Sequence, residues 1–373
     1  MPTKLRVVFF TESAQGACSL YRAWIPCLGL NLAGHYARYS QKWYPQMLDE
    51  FDIFIFQRNS VKATVELIYA IRQETGKPVI FDLDDNIMQI PMTNPAFWLY
   101  LDKPEIGWYQ LQSLMVSSCG TYSTQGLAKR FGVFKPAHVL PNYLNIEEHR
   151  NVQPIRVAEG VLMFWGGSNT HRDSLELLKD VIPEVFKRHP EAKLVVMGSS
   201  LPFEADPSRV IEVPWGLYKF FKAVLLGCDI GLAPLAPGPF SECKSDLRIK
   251  ELAAGKLAIV ASDYAEYGRA VREAGGMPVS TTEEWVEALS RLIRDEEERK
   301  YRGGLAWAWA QKQDIRCNIQ ERVELYQRIL EEEHFVGPRL GEPKPTGVYQ
   351  DFAVEGHKYV QDRGRVREFR EVS

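Results

Sequence analysis

The 373-residue chain has no apolar run approaching the ~18 residues that a membrane-crossing helix needs, so the sequence predicts no span. Its six cysteines form no CxxC pair, which removes the zinc-knuckle and disulfide-framework readings and points to a reducing compartment. Neither sign of charge is in excess: 45 Lys and Arg stand against 48 Asp and Glu, a net −3. Wholesale attraction to nucleic acid or to an anionic membrane is therefore not built into the totals, although a local patch is not excluded. The opening MPTKLRVVFF is too short in apolar residues for a secretion signal and leads into a polar loop. It is expected to be the first strand of a cytoplasmic protein.

With 45% hydrophobic and 25% charged residues, the composition is that of a soluble globular protein, and the length exceeds one ordinary core. Short apolar runs alternate with helical patterns, which predicts α/β folding with parallel sheets and crossover helices. In the first half, strands are expected at 5–10, 53–57, 79–82, 120–123 and 138–140, and helices at 19–33, 61–75 and 125–131. The Pro- and aromatic-rich stretch 88–108 fits neither period and reads as a long loop lining a cleft or forming a lid. Residues 145–158 are polar and aperiodic, so the boundary falls there. A second set follows: strands at 160–165, 193–198, 210–213, 230–234 and 258–261, helices at 172–188, 216–226, 246–254 and 282–294. The expected units are 1–150, 151–315, and 316–373, the last a helix and tail returning toward the first domain. An arm and a partly disordered tail are both open for 334–373.

In open parallel sheets ligands gather at the carboxyl ends of strands, where helix N-termini aim backbone N–H groups into the crevice. FWGGSNTHRDS supplies Gly166 and Gly167 at such a strand end, followed by Ser168 and Asn169. A tight turn would need the same glycines. Lys244-Ser245 opens an amphipathic run, offering a compact cation, a hydroxyl and a helix dipole to a diphosphate; an ordinary helix start with a solvated lysine fits equally. Glu251, farther along that run, could accept both hydroxyls of a ribose or simply face water. His171, after the Gly-Gly turn, could touch a sugar or a phosphate, or cap its helix locally.

These residues carry a resemblance. VLMFWGGSNTHRDSLELL, KLVVMGSS and CDIGLAPL…KSDLRIKELAAGKLAIVAS resemble the donor domain of retaining GT-B glycosyltransferases of the group 1, family 4-like type. TYSTQGLAKRF and HVLPNYLN resemble the segments that close that family's acceptor domain. The resemblance implies two Rossmann-like doubly wound domains facing across a cleft. It also implies transfer of a sugar from a nucleoside-diphosphate donor, UDP- or GDP-linked, to an acceptor hydroxyl with no cofactor or metal required. By position, Gly166 and Gly167 would approach the donor, Lys244 and Ser245 would bind the diphosphate, and Glu251 would hold the ribose. Val213 would meet the base through its backbone, with Trp215 as a stacking surface or a packing residue. The family commonly places a further Glu eight positions before the ribose Glu; that position is Cys243 here, with Glu242 one residue off.

In the first half, VIFDLDDNI puts Asp82, Asp84 and Asp85 at a strand end. Such carboxylates bind metals, act as bases or grip sugar hydroxyls; acceptor binding by Asp84 and Asp85 is preferred because this end faces the cleft in a GT-B arrangement. Gly16 and Arg22 in TESAQGACSLYR, and Arg58 after the second strand, complete the expected acceptor pocket, with a turn as the alternative role for Gly16 and pairing with the acidic cluster as that for Arg22. The acceptor is expected to be a glycan or lipid-linked sugar, with a hydroxylated DNA base as the alternative. A non-catalytic sugar-nucleotide binder is a competing reading, and an epimerase a weaker one given few histidines near the cleft. The oligomeric state is open.

Overall fold

The computed structural model describes residues 4–13 and 16–332. Twelve strands form two six-stranded sheets, and every pairing is parallel. The first contains β1 (Arg6–Thr11), β2 (Tyr36–Ser40), β3 (Ile53–Gln57), β4 (Val79–Leu83), β5 (Cys119–Tyr122) and β6 (Ala137–Val139), in the order β2-β1-β3-β4-β5-β6. The second contains β7 (Val161–Gly166), β8 (Ala192–Met197), β9 (Val210–Val213), β10 (Ile230–Ala233), β11 (Ala258–Ser262) and β12 (Met277–Val279), ordered β12-β11-β10-β7-β8-β9. The central strands IFIFQ, VIFDL and AIVAS are buried along their whole length. That is why they read as unbroken apolar runs rather than alternating ones: helices cover both faces of a parallel sheet.

Strand order reverses between β1 and β3 in one sheet and between β7 and β10 in the other. Such switch points open crevices at the carboxyl ends of the strands, and the candidate residues stand at these ends. The last helix, Ile315–Glu332, packs on helix Ile25–Leu32 of the first domain. Contact is close enough that a Cβ on Gly29 would lie 2.6 Å from Ile315 Cγ1. The tail expected at 334–373 lies outside the described residues.

Two expectations need correction. The stretch 88–108 is not one long loop: helices Pro95–Asp102 and Pro104–Val116 occupy most of it. Both begin on proline, which tolerates the first helical turn because its missing N–H would have no intrahelical partner there. The single helix expected at 172–188 is instead a 3₁₀ turn, Asn169–His171, and two short helices, Arg172–Glu176 and Val181–Arg188.

Candidate functional site

On the first-domain side, the backbone of Arg58 leaves β3 in the left-handed region, φ 56°, with its N–H bonded to the Asp82 carbonyl at 3.0 Å. This conformation is uncommon outside glycine and is concentrated at functional sites. It turns the guanidinium toward the exit of β4, where Nη1 lies 3.2 Å from Asp85 Oδ2 and 3.7 Å from Asp84 Oδ1. The two carboxylates are driven apart electrostatically. Burial, then the neighbouring Asp85, pushes Asp84 up. Burial would also raise Asp85, but Lys244 and Arg58 outweigh it and hold that carboxyl well below its usual range. Asp84 Oδ1 is buried beside Arg58 with no hydrogen-bond partner, an unsatisfied acceptor.

Arg22, expected in the acceptor pocket, is instead enclosed within the first domain. It is fully buried, with Nε and Nη2 on Asp82 at 2.8 and 2.6 Å, and Nη1 on the Leu140 carbonyl at 2.6 Å and Asn142 Oδ1 at 3.0 Å. Thr121 donates to the same Asp82 carboxylate at 2.7 Å. With its donors committed to the protein, Arg22 ties β1's following helix to β4 and to the turn after β6. A π-helical turn at Leu20–Trp24 carries it there; such single turns re-aim side chains within an α-helix. Gly16, at the N-cap of the first helical turn, lies in the same loop, with Ser13 Oγ 3.4 Å from where its Cβ would be.

Across the cleft, Gly166 ends β7 and Gly167 follows it, and both are glycine for packing reasons. A Cβ on Gly166 would meet Phe221 and Phe164 at 2.7 and 2.8 Å; one on Gly167 would meet Arg248 Nη2 at 2.7 Å and the Trp165 ring at 3.0 Å. Arg248, on helix Leu247–Ala254, thus lies against the glycine turn, its guanidinium 5.1 Å from the centre of the Trp165 ring. Its Nη1 is buried and has no hydrogen-bond partner. A charged donor in that condition is costly unless an anion completes it. Sequence reasoning missed Arg248; its position in the first turn of the helix was the available signal. His171, in the 3₁₀ turn beside it, is held neutral: burial, then Arg248 and Lys244, push its pKa well below the usual value. Ser168 is exposed and shares a 2.7 Å hydrogen bond with Thr170.

Lys244 and Ser245 precede the helix but reach the other domain. Lys244 Nζ is 2.6 Å from Asp85 Oδ1, and Ser245 Oγ accepts from Asn142 Nδ2 at 3.1 Å. Nearby, Thr124 Oγ1 donates to the Cys243 carbonyl at 3.0 Å and Asn86 Nδ2 to the Pro239 carbonyl at 3.2 Å. Cys243 is buried against the first domain's core, whereas Glu242 is mostly exposed and 3.8 Å from Arg130. The Cys243 position therefore serves the domain junction.

Glu251 meets two tyrosines: Tyr21 of the first domain donates to Oε1 at 2.5 Å, and the Tyr21 and Tyr218 hydroxyls are themselves hydrogen-bonded. Burial pushes the Glu251 carboxyl up, opposed by those hydroxyls and by Arg248. The Val213 carbonyl accepts from Gly198 N–H at 3.0 Å, and Trp215 lies over Gly198, whose φ is +85°. The indole is 54% exposed, so a face is free for stacking. Among the described residues, no group of three or more His, Cys, Asp or Glu is arranged to hold a metal ion, and no helix is long and apolar enough to cross a membrane.

No protein-family model and no curated protein matches the sequence. Solved structures do match in fold. HepE of Anabaena in complex with UDP aligns at TM-score 0.60 and 14% identity, over 87% of this chain and 100% of that one. Sucrose-phosphate synthase from Thermosynechococcus elongatus aligns at 0.60 and 11%, over 88% and 100%. A glycosyltransferase from Rickettsia africae aligns at 0.59 and 12%, over 88% and 99%. At such identities the likeness is one of architecture: the chain has the two-domain GT-B fold.

Proposed function

We propose that the protein is a glycosyltransferase moving a sugar from a nucleoside-diphosphate donor to a hydroxyl of a glycan or lipid-linked acceptor. The observation that carries this reading is Arg248: a guanidinium with a buried, unpartnered nitrogen, set against the glycine turn after β7. A diphosphate there would complete its hydrogen bonding and be met by a charge fixed in advance, which is the most effective way to stabilise a departing anion. Lys244 and the N-terminus of helix Leu247–Ala254 would add to that field. Glu251 would receive the ribose hydroxyls once Tyr21 gives way, and Trp215 would stack on the base. Opposite, the buried and unpartnered Asp84 Oδ1 would receive the incoming hydroxyl's hydrogen bond once the cleft admits the acceptor, while Arg58 and Lys244 hold Asp85 charged.

The closed cleft would exclude water, the competing acceptor. Retention at the anomeric carbon is the expectation carried by residues 228–262, and the field described needs no metal. HepE is described in complex with UDP and with UDP-glucose, which makes UDP the first nucleotide to try. Thermal shift with UDP, GDP, ADP and TDP tests the reading. One of them at 100 times its Kd should stabilise the protein by about 2.7 kcal/mol, and at the same concentration this should fall to about 1.4 kcal/mol or less in Arg248→Ala. If none of the four stabilises the protein, the reading is lost.

A further inference from the structure

Beside Asp84 and Asp85 the first domain holds an apolar pocket of about 210 Å³, lined by Ile87, Met88, Ile90, Phe97, Tyr100 and Leu101. It begins two residues after Asp85. It is also tied to the charged cluster by a short relay: Tyr100 donates to Gln110 Oε1 at 2.9 Å, and Gln110 Nε2 donates to the Arg58 carbonyl at 2.9 Å. Helix Pro95–Asp102, which forms one wall, has no buried residue and touches the Asn169–His171 turn of the other domain. The pocket thus has one wall at the contact between the two domains and begins two residues along the chain from Asp85.

Apart from the Tyr100 hydroxyl, its lining side chains are apolar. From Asn86 to Leu101 the chain has no charged residue. Two of the lining residues, Met88 and Leu101, and three beyond the pocket, Met92, Trp98 and Leu99, are each more than 40% exposed. Contiguous exposed apolar surface of this kind marks a binding site more often than chance. The pocket is smaller than the roughly 300–1,000 Å³ of sites that take a whole ligand, so it fits one apolar end of a molecule whose polar part lies elsewhere. The missing charge disfavours a strongly anionic partner.

We infer that this pocket and its apolar flank receive the hydrocarbon chain of a lipid-linked acceptor, placing the acceptor's hydroxyl at Asp84. The inference rests on the transferase reading, and it makes the lipid, rather than a free glycan, the acceptor class. Affinity should then follow chain length, each buried methylene adding up to about fourfold.

The test uses the full chain with n-octyl β-D-glucoside below its micelle concentration, against n-hexyl β-D-glucoside and free glucose, followed by calorimetry. The octyl compound should bind more tightly than the hexyl compound and glucose should not be detected, with a negative heat-capacity change. Leu101→Asp and Met88→Asp, both at exposed positions, should each weaken octyl glucoside at least tenfold while leaving the UDP thermal shift as in the parent. Glucose binding as well as octyl glucoside, or variants that bind it like the parent, would overturn the inference and leave the transferase reading standing. Sedimentation with phosphatidylcholine vesicles without octyl-glucoside binding would assign the surface to a bilayer and also overturn it. Loss of every nucleotide shift with chain-length dependence intact would instead remove the transferase reading.

Discussion

Lys244 Nζ lies 2.6 Å from Asp85 Oδ1, so a cation of the second domain and a carboxylate of the first meet inside the cleft. Only 17% of one side chain and 20% of the other is exposed, and a pair so sheltered is weakly screened by salt. Its role is double: it closes the domains on one another and keeps Asp85 charged beside Asp84.

Lys244→Ala should therefore destabilise in a pH-dependent way. Asp85 has a folded pKa below its unfolded one, so its contribution is present above the ordinary carboxylate value of about 3.9 and is lost as pH falls through the folded value. Without Lys244 that contribution shrinks but does not vanish, because Arg58 remains 3.2 Å away. The deficit should be roughly 1–3 kcal/mol at pH 7 and should narrow under acid, measured by urea unfolding at pH 7 and pH 3.5. A deficit equal at both would show that the pair is not what the substitution removed. Sugar transfer should fall mainly in kcat.

Arg248→Met keeps the stem against Trp165 but deletes the charge. Because Nη1 has no partner in the unliganded protein, stability should be unchanged or slightly higher, while nucleoside-diphosphate binding loses the roughly 1.5–3 kcal/mol of a charged hydrogen bond, about 10- to 150-fold. Parallel measurement of Tm and of UDP affinity checks this. Falling stability with affinity intact would make Arg248 a packing residue.

Arg22 illustrates where the sequence stopped being informative. Its place after the first strand was legible, and so was an acidic partner; that the partner would be Asp82, buried, rather than Asp84 or Asp85 at the surface of the cleft, depends on a π turn that no residue pattern announces. The sheets were more legible, since runs such as IFIFQ and AIVAS are apolar throughout because both faces are covered. β2 was missed because YARYS is an edge strand with only Ala37 fully buried. Helix Glu296–Lys312 was missed because Gly303 and Gly304 interrupt it. Gly303 is needed there: its Cβ would stand 2.3 Å from the Lys256 carbonyl oxygen. Arg248 escaped because an arginine in a helix is usually solvated, and only the fold brings it against Gly167.

Removing either end of the Arg22–Asp82 pair should be a folding defect. Arg22→Met leaves the Asp82 carboxylate buried with one hydroxyl for company, and such losses cost about 3–5 kcal/mol. The expected signature is a lower denaturation midpoint with unchanged KM for the acceptor in the folded fraction. A raised KM at parental stability would return Arg22 to the acceptor site.

Asp84→Asn separates function from stability in the other direction. A carboxyl whose folded pKa is raised binds its proton more tightly in the folded state, so it costs stability as pH rises from its unfolded value through its folded one. The asparagine lacks that cost and removes the repulsion on Asp85. The variant should gain on the order of 0.5–2 kcal/mol at pH 7, with the gain disappearing below about pH 4, while transfer to acceptor drops by at least tenfold. Donor hydrolysis should be affected less. A variant less stable than the parent at neutral pH would contradict the electrostatic account.

His171 gives the most direct view of the field that a diphosphate would enter. Burial, then Arg248 and Lys244, lower its pKa, so the folded protein leaves it neutral while the unfolded chain takes up a proton below about 6.5. The sign of the linkage follows: this residue makes folding less favourable as pH falls below 6.5, and His171→Gln should flatten that part of the stability profile. In the free protein its ring resonances should not titrate between pH 8 and 5.5. Binding UDP places negative charge beside the two cations that depress it, which should move the midpoint upward toward its ordinary value. A His171 that titrates near 6.5 without nucleotide, or is unmoved by saturating UDP, would mean that the diphosphate does not settle at Arg248.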